Sequence, residues 1–404
     1  MLVTVSAPNE IARDLPSGAQ RILRLASHIR SGTLVVCTPD GRRLRFVGRE
    51  PGVDATIVVN DWAFTKRLAS SGDLGFAEGY LHGEWDTPNL PALLTLLATN
   101  RDLVAALLPN RSALRIWQVL RHRLNRNTRA GAKRNIHAHY ELGNRFYKAW
   151  LDPTMTYSSA LFGQGDDDLA SAQIRKYRAL ADALDLKPTH HVLEIGCGWG
   201  GFAAFAAEAI GCRVTALTIS PAQATYARER IAQAGLADRV EIKLQDYRDE
   251  RGFYDRVVAI EMFEAVGEAY WPVFFRTMAA RLRAGGRAGL QVITIRNDRY
   301  AGYRRDIDFI RRFVFPGGAL PPADALRSLG ARSGLALEAE RAFGRDYART
   351  LVHWRERFRA AWPSIAPLGF DERFRRLWEY YFAYCEAGFR TGTIDVRQMV
   401  FAKP

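Results

Sequence analysis

A carboxylate stands two residues ahead of a glycine-rich turn in His191-Val192-Leu193-Glu194-Ile195-Gly196-Cys197-Gly198-Trp199-Gly200-Gly201. The apolar run before the turn and the alanine-rich segment 202–210 after it read as strand, tight turn and helix. Glycines there let backbone approach a ligand closely, and the helix start offers unpaired N–H groups at a positive dipole end. Such a turn suits a nucleotide or a nucleotide-like cofactor. A dinucleotide site would place an acid at the end of the second strand, but here that strand ends Ala216-Leu217-Thr218-Ile219-Ser220. The third strand ends Leu244-Gln245-Asp246-Tyr247, where Asp246 can accept from an adenine amino group and Tyr247 can stack beside the ring. Glu194 suits a cationic amino-acid ligand better than a pyrophosphate, although a helix-capping acid is the plainer alternative. The pattern favours S-adenosylmethionine, which carries an amine and a sulfonium and no phosphate.

Strand candidates that would position these residues are 192–195, 213–217, 240–244, 254–260 and 288–293, with helical stretches between them. That alternation predicts an α/β fold with a parallel, doubly wound sheet over residues 135–404. Ahead of it, a helix (11–28), a hairpin (32–36 and 43–47 around Pro39-Asp40-Gly41), a strand (55–59) and helices at 61–69 and 90–98 predict a smaller α+β domain within residues 1–110. Between them, Arg111, Arg115, Arg121, Arg123, Arg126, Arg129, Lys133 and Arg134 surround Leu114, Ile116, Trp117, Leu120 and Leu124. Residues 111–134 therefore read either as a solvated linker helix or as an interfacial helix, with arginines on lipid phosphates and Trp117 at the acyl boundary.

The net charge of +14 over 404 residues favours an anionic partner, unless the arginine-rich surface is simply general to the source organism. The four cysteines, Cys37, Cys197, Cys212 and Cys385, are scattered, so neither a metal site nor a disulfide framework is expected. Residues 1–13 lack a basic start with an apolar core, and no window approaches ~18 uninterrupted apolar residues. A cytoplasmic protein that meets a bilayer from one face is the resulting expectation.

The segments His139-Tyr140-Glu141-Leu142-Gly143-Asn144, Leu151-Asp152-Pro153-Thr154-Met155-Thr156-Tyr157-Ser158, Gly196 to Gly201, Thr218-Ile219-Ser220, Gln245 to Asp249, Met262-Phe263-Glu264, Phe315-Pro316-Gly317-Gly318 and Phe343-Gly344-Arg345-Asp346-Tyr347 resemble the cyclopropane-fatty-acid synthase family, which includes the mycolic acid cyclopropane synthases. The resemblance implies a Rossmann-like class I methyltransferase sheet. It also implies methyl transfer from S-adenosylmethionine to a cis double bond in a membrane phospholipid, peripheral association with the inner membrane face, and a homodimer. By the same resemblance, Tyr157 and Ser158 close over the methionine part. Gly196, Gly198 and Gly200 line the backbone approach with Glu194. Thr218, Ile219 and Gln223 lie near the ribose, and Asp246 and Tyr247 near the adenine.

An alkene is a weak nucleophile, so the site must align C=C with the S–CH3 bond and exclude water. The resulting carbocation needs π faces nearby and a base to take a proton. In the synthases the resemblance assigns that role to bicarbonate, held by a polar shell to which Glu264, Tyr347, the backbone at Ile293, Ser159 and Gln291 correspond. Three positions depart from the family's usual pattern: Ser159 replaces cysteine, Ala265 replaces histidine, and Gln291 replaces a second histidine. Glutamine can donate to an anion but cannot take up a proton. Methyl transfer giving a cyclopropane fatty acid is therefore the expectation, with a methyl-branched or methylene product as the alternative should these three departures send deprotonation along a different course.

Segment 296–322 interleaves Tyr300, Tyr303, Phe309, Phe313 and Phe315 with Arg304, Arg305, Arg311 and Arg312. It reads as a lid over an acyl tunnel with arginines at its mouth, or as a packed helix with a solvated basic face. A nucleic-acid methyltransferase would explain the charge, but the fourth strand leads into Glu261-Met262-Phe263-Glu264 in place of a polar-proline-aromatic signature, and no Pro-Cys pair occurs. No nucleic-acid partner is expected. A non-catalytic lipid-binding role is the remaining alternative.

Overall fold

The computed structural model describes residues 2–4, 14–101, 142–165 and 168–404. The basic segment 111–134 and His139, Tyr140 and Glu141 lie outside the described residues. The chain divides into two compact units, one of Met1–Gln118, Asp308–Ile310 and Gly369–Thr391, the other of Val119–Ile307, Arg311–Leu368 and Gly392–Pro404.

The first unit is built on strands β1 (Leu2–Thr4), β2 (Ser31–Cys37), β3 (Arg43–Val47), β4 (Glu50–Val59) and β5 (Trp85–Asp86), in the order β1-β3-β2-β4-β5. The expected hairpin is present: β2 and β3 pair antiparallel, and Gly41 closes the turn at φ +85° by donating to Thr38 O. Alternate residues Leu34, Val36, Leu44, Phe46, Ile57 and Val59 point into the core. The sequence gives little warning of helix Asp73–Leu81, because Gly75 and Gly79 weaken its helical tendency. Packing requires the first of them, since a Cβ on Gly75 would lie 2.0 Å from Arg67 O.

Helix Glu372–Arg390 belongs to this first unit, whereas the sequence pattern had grouped it with the catalytic fold. Its aromatic stripe, including Trp378, Tyr380, Tyr381 and Phe382, is buried. Arg376 stacks 4.0 Å over the ring of Tyr80, donates to Tyr80 O and Trp85 O, and pairs with Asp86 at 3.1 Å. Three donations and a ring contact from one guanidinium are tertiary facts, which periodicity along the chain does not encode.

The second unit carries β6 (His191–Ile195), β7 (Arg213–Thr218), β8 (Val240–Leu244), β9 (Tyr254–Ile260), β10 (Leu282–Ile295), β11 (Ala336–Ala342) and β12 (Ile394–Ala402). Their order is β11-β12-β10-β9-β6-β7-β8, parallel from β10 through β8, with β12 antiparallel to β10 and to β11. Both faces are apolar, as a parallel sheet between helices demands. Leu193, Ile195, Val257, Ala259, Leu290 and Val292 join one core with Phe274, Phe275 and Met278 of helix Trp271–Arg281. Val192, Val214, Ala216, Ile242 and Val258 join the other with Tyr177 and Leu180 of helix Leu169–Ala183 and Ala224 and Ala227 of helix Pro221–Gln233. Each large apolar side chain so buried contributes roughly 1.5–3 kcal/mol. The five parallel strands agree with the sequence reading. β11 and β12 escaped it because charged residues at 338, 340, 341, 395 and 397 break the continuous apolar run by which the five parallel strands are read.

Candidate active site

The turn after β6 has the shape its glycines permit. Gly196, Gly198 and Gly200 sit at φ +82°, +53° and +80°, and a Cβ on Gly196 would meet Met262 Cγ at 2.4 Å. The N–H groups of Gly196 and Cys197 both reach Leu217 O, tying the turn to the end of β7. Glu194 is buried near the end of β6, and its Oε2 has no hydrogen-bond partner. Burial pushes its carboxyl up to about 8, against the opposing charge of Lys176. A cationic amino group beside that orphaned oxygen would restore the carboxylate, so the site fits the amine of S-adenosylmethionine.

At the end of β7, Thr218 Oγ1 donates to Gln223 Oε1 at 2.8 Å and accepts from Ser220 N. The amide Nε2 of Gln223 makes no hydrogen bond among the described residues, leaving a donor for a ribose hydroxyl. Ile219 is half-buried beside them. Asp246 is more committed than the sequence suggests: Arg248 bonds both of its oxygens, and the Arg248 amide caps on it as well. Tyr247 packs edge-on against Phe274, 5.4 Å between centroids, so a core ring contact takes up part of its surface.

Around Tyr157 an aromatic cluster gathers, with Trp354, Tyr147 and Trp150 at 5.2, 5.5 and 5.6 Å and Phe315 at 6.4 Å between centroids. Tyr347 stands edge-on to Trp354. Such faces can stabilise a cation that has left water. Of the segment 296–322, Phe315 therefore approaches the site, whereas Phe309 is buried in the first unit against Tyr380. Arg311 turns inward, stacked 4.0 Å over Tyr303 and donating to Tyr303 O, and Arg304 pairs with Glu268 at 2.9 Å.

The polar residues expected to form an anion shell converge, but on a residue of the chain itself. Glu261, directly after β9, has φ +48°, a left-handed conformation that costs a non-glycine residue roughly 1–2 kcal/mol. Its N–H continues the ladder to Gln291 O. Its carboxylate accepts from Ser159 N at 2.8 Å, Gln291 Nε2 at 2.7 Å and Tyr347 Oη at 2.6 Å. Ser159 contributes through its backbone, since its hydroxyl is turned to Ala160 O. Glu264 lies one turn on and accepts from Ile293 N at 2.5 Å, while its buried Oε2 has no partner. Burial, and then the charge of Glu261, push the Glu264 carboxyl up to about 8. Burial also raises Glu261, but Lys176 and three donors oppose that rise. Of the two, Glu264 has no donor beyond main-chain N–H groups to oppose its burial, whereas Glu261 has Lys176 and three donors favouring its charged form.

A bound bicarbonate does not fit this arrangement. Three of the donors assigned to it are already spent on Glu261, and a further anion would face two buried carboxyl groups. Sequence reasoning missed Glu261 because the resemblance drew attention to Glu264. The signal was available as two carboxylates three residues apart beyond a strand end. It missed Lys176 too, a fully buried cation whose ammonium donates to Ser158 Oγ at 2.6 Å while Gln173 Nε2 holds Ser158 O. Among the described residues, no cluster of His, Cys, Asp and Glu could hold a metal, and no helix is long and apolar enough to cross a membrane.

The family described as mycolic acid cyclopropane synthetase matches residues 127–399. The tuberculostearic acid methyltransferase UfaA1 of Mycobacterium tuberculosis is 40% identical over 359 residues, covering 86% of this chain and 83% of that protein. The cyclopropane-fatty-acyl-phospholipid synthase of Escherichia coli K12 is 35% identical over 354 residues, covering 86% and 88%. The crystal structure of mycolic acid cyclopropane synthase CmaA1 complexed with SAH and CTAB superposes with a TM-score of 0.64 at 30% identity, over 67% of this chain and 98% of that one.

Proposed function

The chain belongs to the mycolic acid cyclopropane synthetase family and is an S-adenosylmethionine-dependent methyltransferase, and from that premise we propose that it methylates the cis double bond of an unsaturated phospholipid acyl chain and releases an open, methylated product. When bound, the cofactor supplies an electrophilic methyl carbon on a sulfonium. Methylation of one alkene carbon leaves the positive charge on the other. Tyr157, Trp354 and Tyr347 form a ring cluster tied to Glu261 through the Tyr347 hydroxyl, and in this reading its π faces are what hold such a cation.

Glu261 is the base in this reading, and its carboxylate in place of a bound anion is the observation that carries it. A hydride shift from the methylated carbon moves the charge to the branch point. Loss of H+ from the methyl to Glu261 then leaves a methylene branch, C=CH2, on the open chain, and loss from the neighbouring chain carbon leaves a methyl-branched alkene. In both cases the proton resides on the Glu261 carboxyl. Closure to a cyclopropane is the competing outcome, favoured by the likeness to the E. coli synthase. The 40% identical relative is by name a methyltransferase and not a ring-closing synthase, which favours the open product. The net charge of +14 and the basic segment 111–134 support an anionic bilayer as the place where the substrate is met, from the cytoplasmic face.

All these products share one mass, so the test is isotopic. With unsaturated phosphatidylglycerol vesicles and a CD3-labelled cofactor, a methyl-branched alkene keeps three deuterons, while a methylene chain or a ring keeps two. Mild hydrogenation then saturates the alkenes and spares the ring. A product that keeps two deuterons and resists hydrogenation overturns the open-chain reading.

A further inference from the structure

Gln291 lies in the middle of β10, opposite Gln398 of β12 in the antiparallel register, and both side chains are buried. Gln398 Nε2 reaches two oxygens at 3.1 Å, Lys176 O and Gln291 Oε1. Gln291 Nε2 in turn reaches Glu261 Oε1 at 2.7 Å and Ser159 O at 3.3 Å. These contacts leave neither amide a choice. A main-chain carbonyl only accepts, so the Gln398 group facing Lys176 O must be its NH2. That NH2 also points at Gln291, so the Gln291 end it meets must be oxygen. The remaining end, a donor, then faces the Glu261 carboxylate. If Gln398 were removed, only the longer 3.3 Å contact to Ser159 O would still oppose the Gln291 amide turning its oxygen toward Glu261 Oε1.

We propose that Gln398 is a positioning residue: by orienting the Gln291 amide, it holds the Glu261 carboxylate in the ionised state and single orientation that proton removal requires. The pair does what a histidine at 291 could not do at every pH, because neither amide titrates. Lys176 closes the circuit, its main-chain oxygen fixing Gln398 while its ammonium fixes Ser158, the neighbour of Ser159. The proposal rests on Glu261 being the base.

The test is a double-mutant cycle on the full-length protein with unsaturated phospholipid vesicles, combining Gln398→Met and Gln291→Met. Alone, Gln398→Met is expected to lower kcat about tenfold, the loss that follows from one hydrogen bond to a charged group. It is also expected to move the acidic limb of the pH profile upward, because Glu261 loses a donor and binds its proton more tightly. S-adenosylhomocysteine affinity, read by calorimetry, is expected to stay within about twofold. In the Gln291→Met background the same change is expected to cost less than about twofold, because its route to Glu261 is already gone. Equal losses in both backgrounds, or an unmoved pH profile, overturn the proposal. If Gln398→Met does not fold, Gln398→Glu replaces it: it keeps the shape and offers one O–H to two acceptors, and the same coupling is required of it. Glu261→Gln, assayed in parallel, separates the two ideas. An active Glu261→Gln enzyme removes the base and this proposal with it, whereas an inactive one with additive 398/291 losses removes only the role of Gln398.

Discussion

Replacing Glu261 by glutamine removes the proposed base without removing its shape. The amide oxygen can accept from Ser159 N and Gln291 Nε2, where Oε1 does now, and the amide nitrogen can donate to the Tyr347 oxygen, where Oε2 accepts now. The Ser159 and Gln291 donors stay satisfied while the Tyr347 O–H loses this acceptor, so the stability cost is expected to be about 1–3 kcal/mol. Turnover is another matter. A positioned base contributes about 10²–10⁴-fold, so the barrier is expected to rise by about 3–5 kcal/mol, at 1.36 kcal/mol per tenfold. Release of S-adenosylhomocysteine with unsaturated vesicles reads the turnover, and calorimetry with S-adenosylhomocysteine confirms an intact cofactor site. Glu261→Gly supplies the complementary measurement. Glycine enters φ +48° freely, and it frees the Ser159, Gln291 and Tyr347 donors for an external anion. Its activity is expected to rise with added bicarbonate, while the parent enzyme is indifferent to it. A parent enzyme that loses activity in bicarbonate-free buffer, or a Glu261→Gln variant with most of its turnover, refutes the assignment.

Glu264 titrates from the ordinary value near 4.5 up to about 8, so the folded state holds a proton that the unfolded state has released between those values. Stability should therefore fall as pH rises through that window, by about 1.4 kcal/mol per pH unit at most. Glu264→Gln, which mimics the protonated acid, should flatten the fall in thermal unfolding measured from pH 5 to pH 8, and an unchanged slope would contradict the protonated assignment. Gly196→Ala places a Cβ at 2.4 Å from Met262 Cγ in a left-handed conformation. It is expected to cost about 1–3 kcal/mol of stability and to weaken S-adenosylhomocysteine binding; a variant that binds normally would mean the turn does not frame the cofactor. Arg304→Glu with Arg305→Glu should weaken co-sedimentation with phosphatidylglycerol vesicles, at about 1 kcal/mol per charge, and undiminished binding would leave segment 296–322 without a lipid-facing role.

The sequence by itself determined the parts of this protein that depend on neighbours along the chain. Val192 to Ile195 followed by Gly196, Gly198 and Gly200 reads as a strand entering a tight turn, because an apolar run and residues free to take positive φ are features of the local sequence. The five parallel strands were legible for the same reason, since a strand buried on both faces reads as a continuous apolar run. Strands β11 and β12 were not legible, and neither was the placement of helix Glu372–Arg390 with the first unit. Their stability comes from partners distant in sequence, such as Arg376 on Tyr80, Trp85 and Asp86.

The site divides along the same line. Motif positions singled out Ser159, Gln291 and Tyr347 as donors to an anion, and in the fold all three meet the Glu261 carboxylate. What they could not reveal was which anion, because Glu261 reaches all three only through a left-handed backbone turn and the pairing of β9, β10 and β12. One residue with an unfavourable φ, held by contacts 30, 86 and 102 positions away, decides where the buried carboxylate stands, and only the tertiary structure brings those residues together.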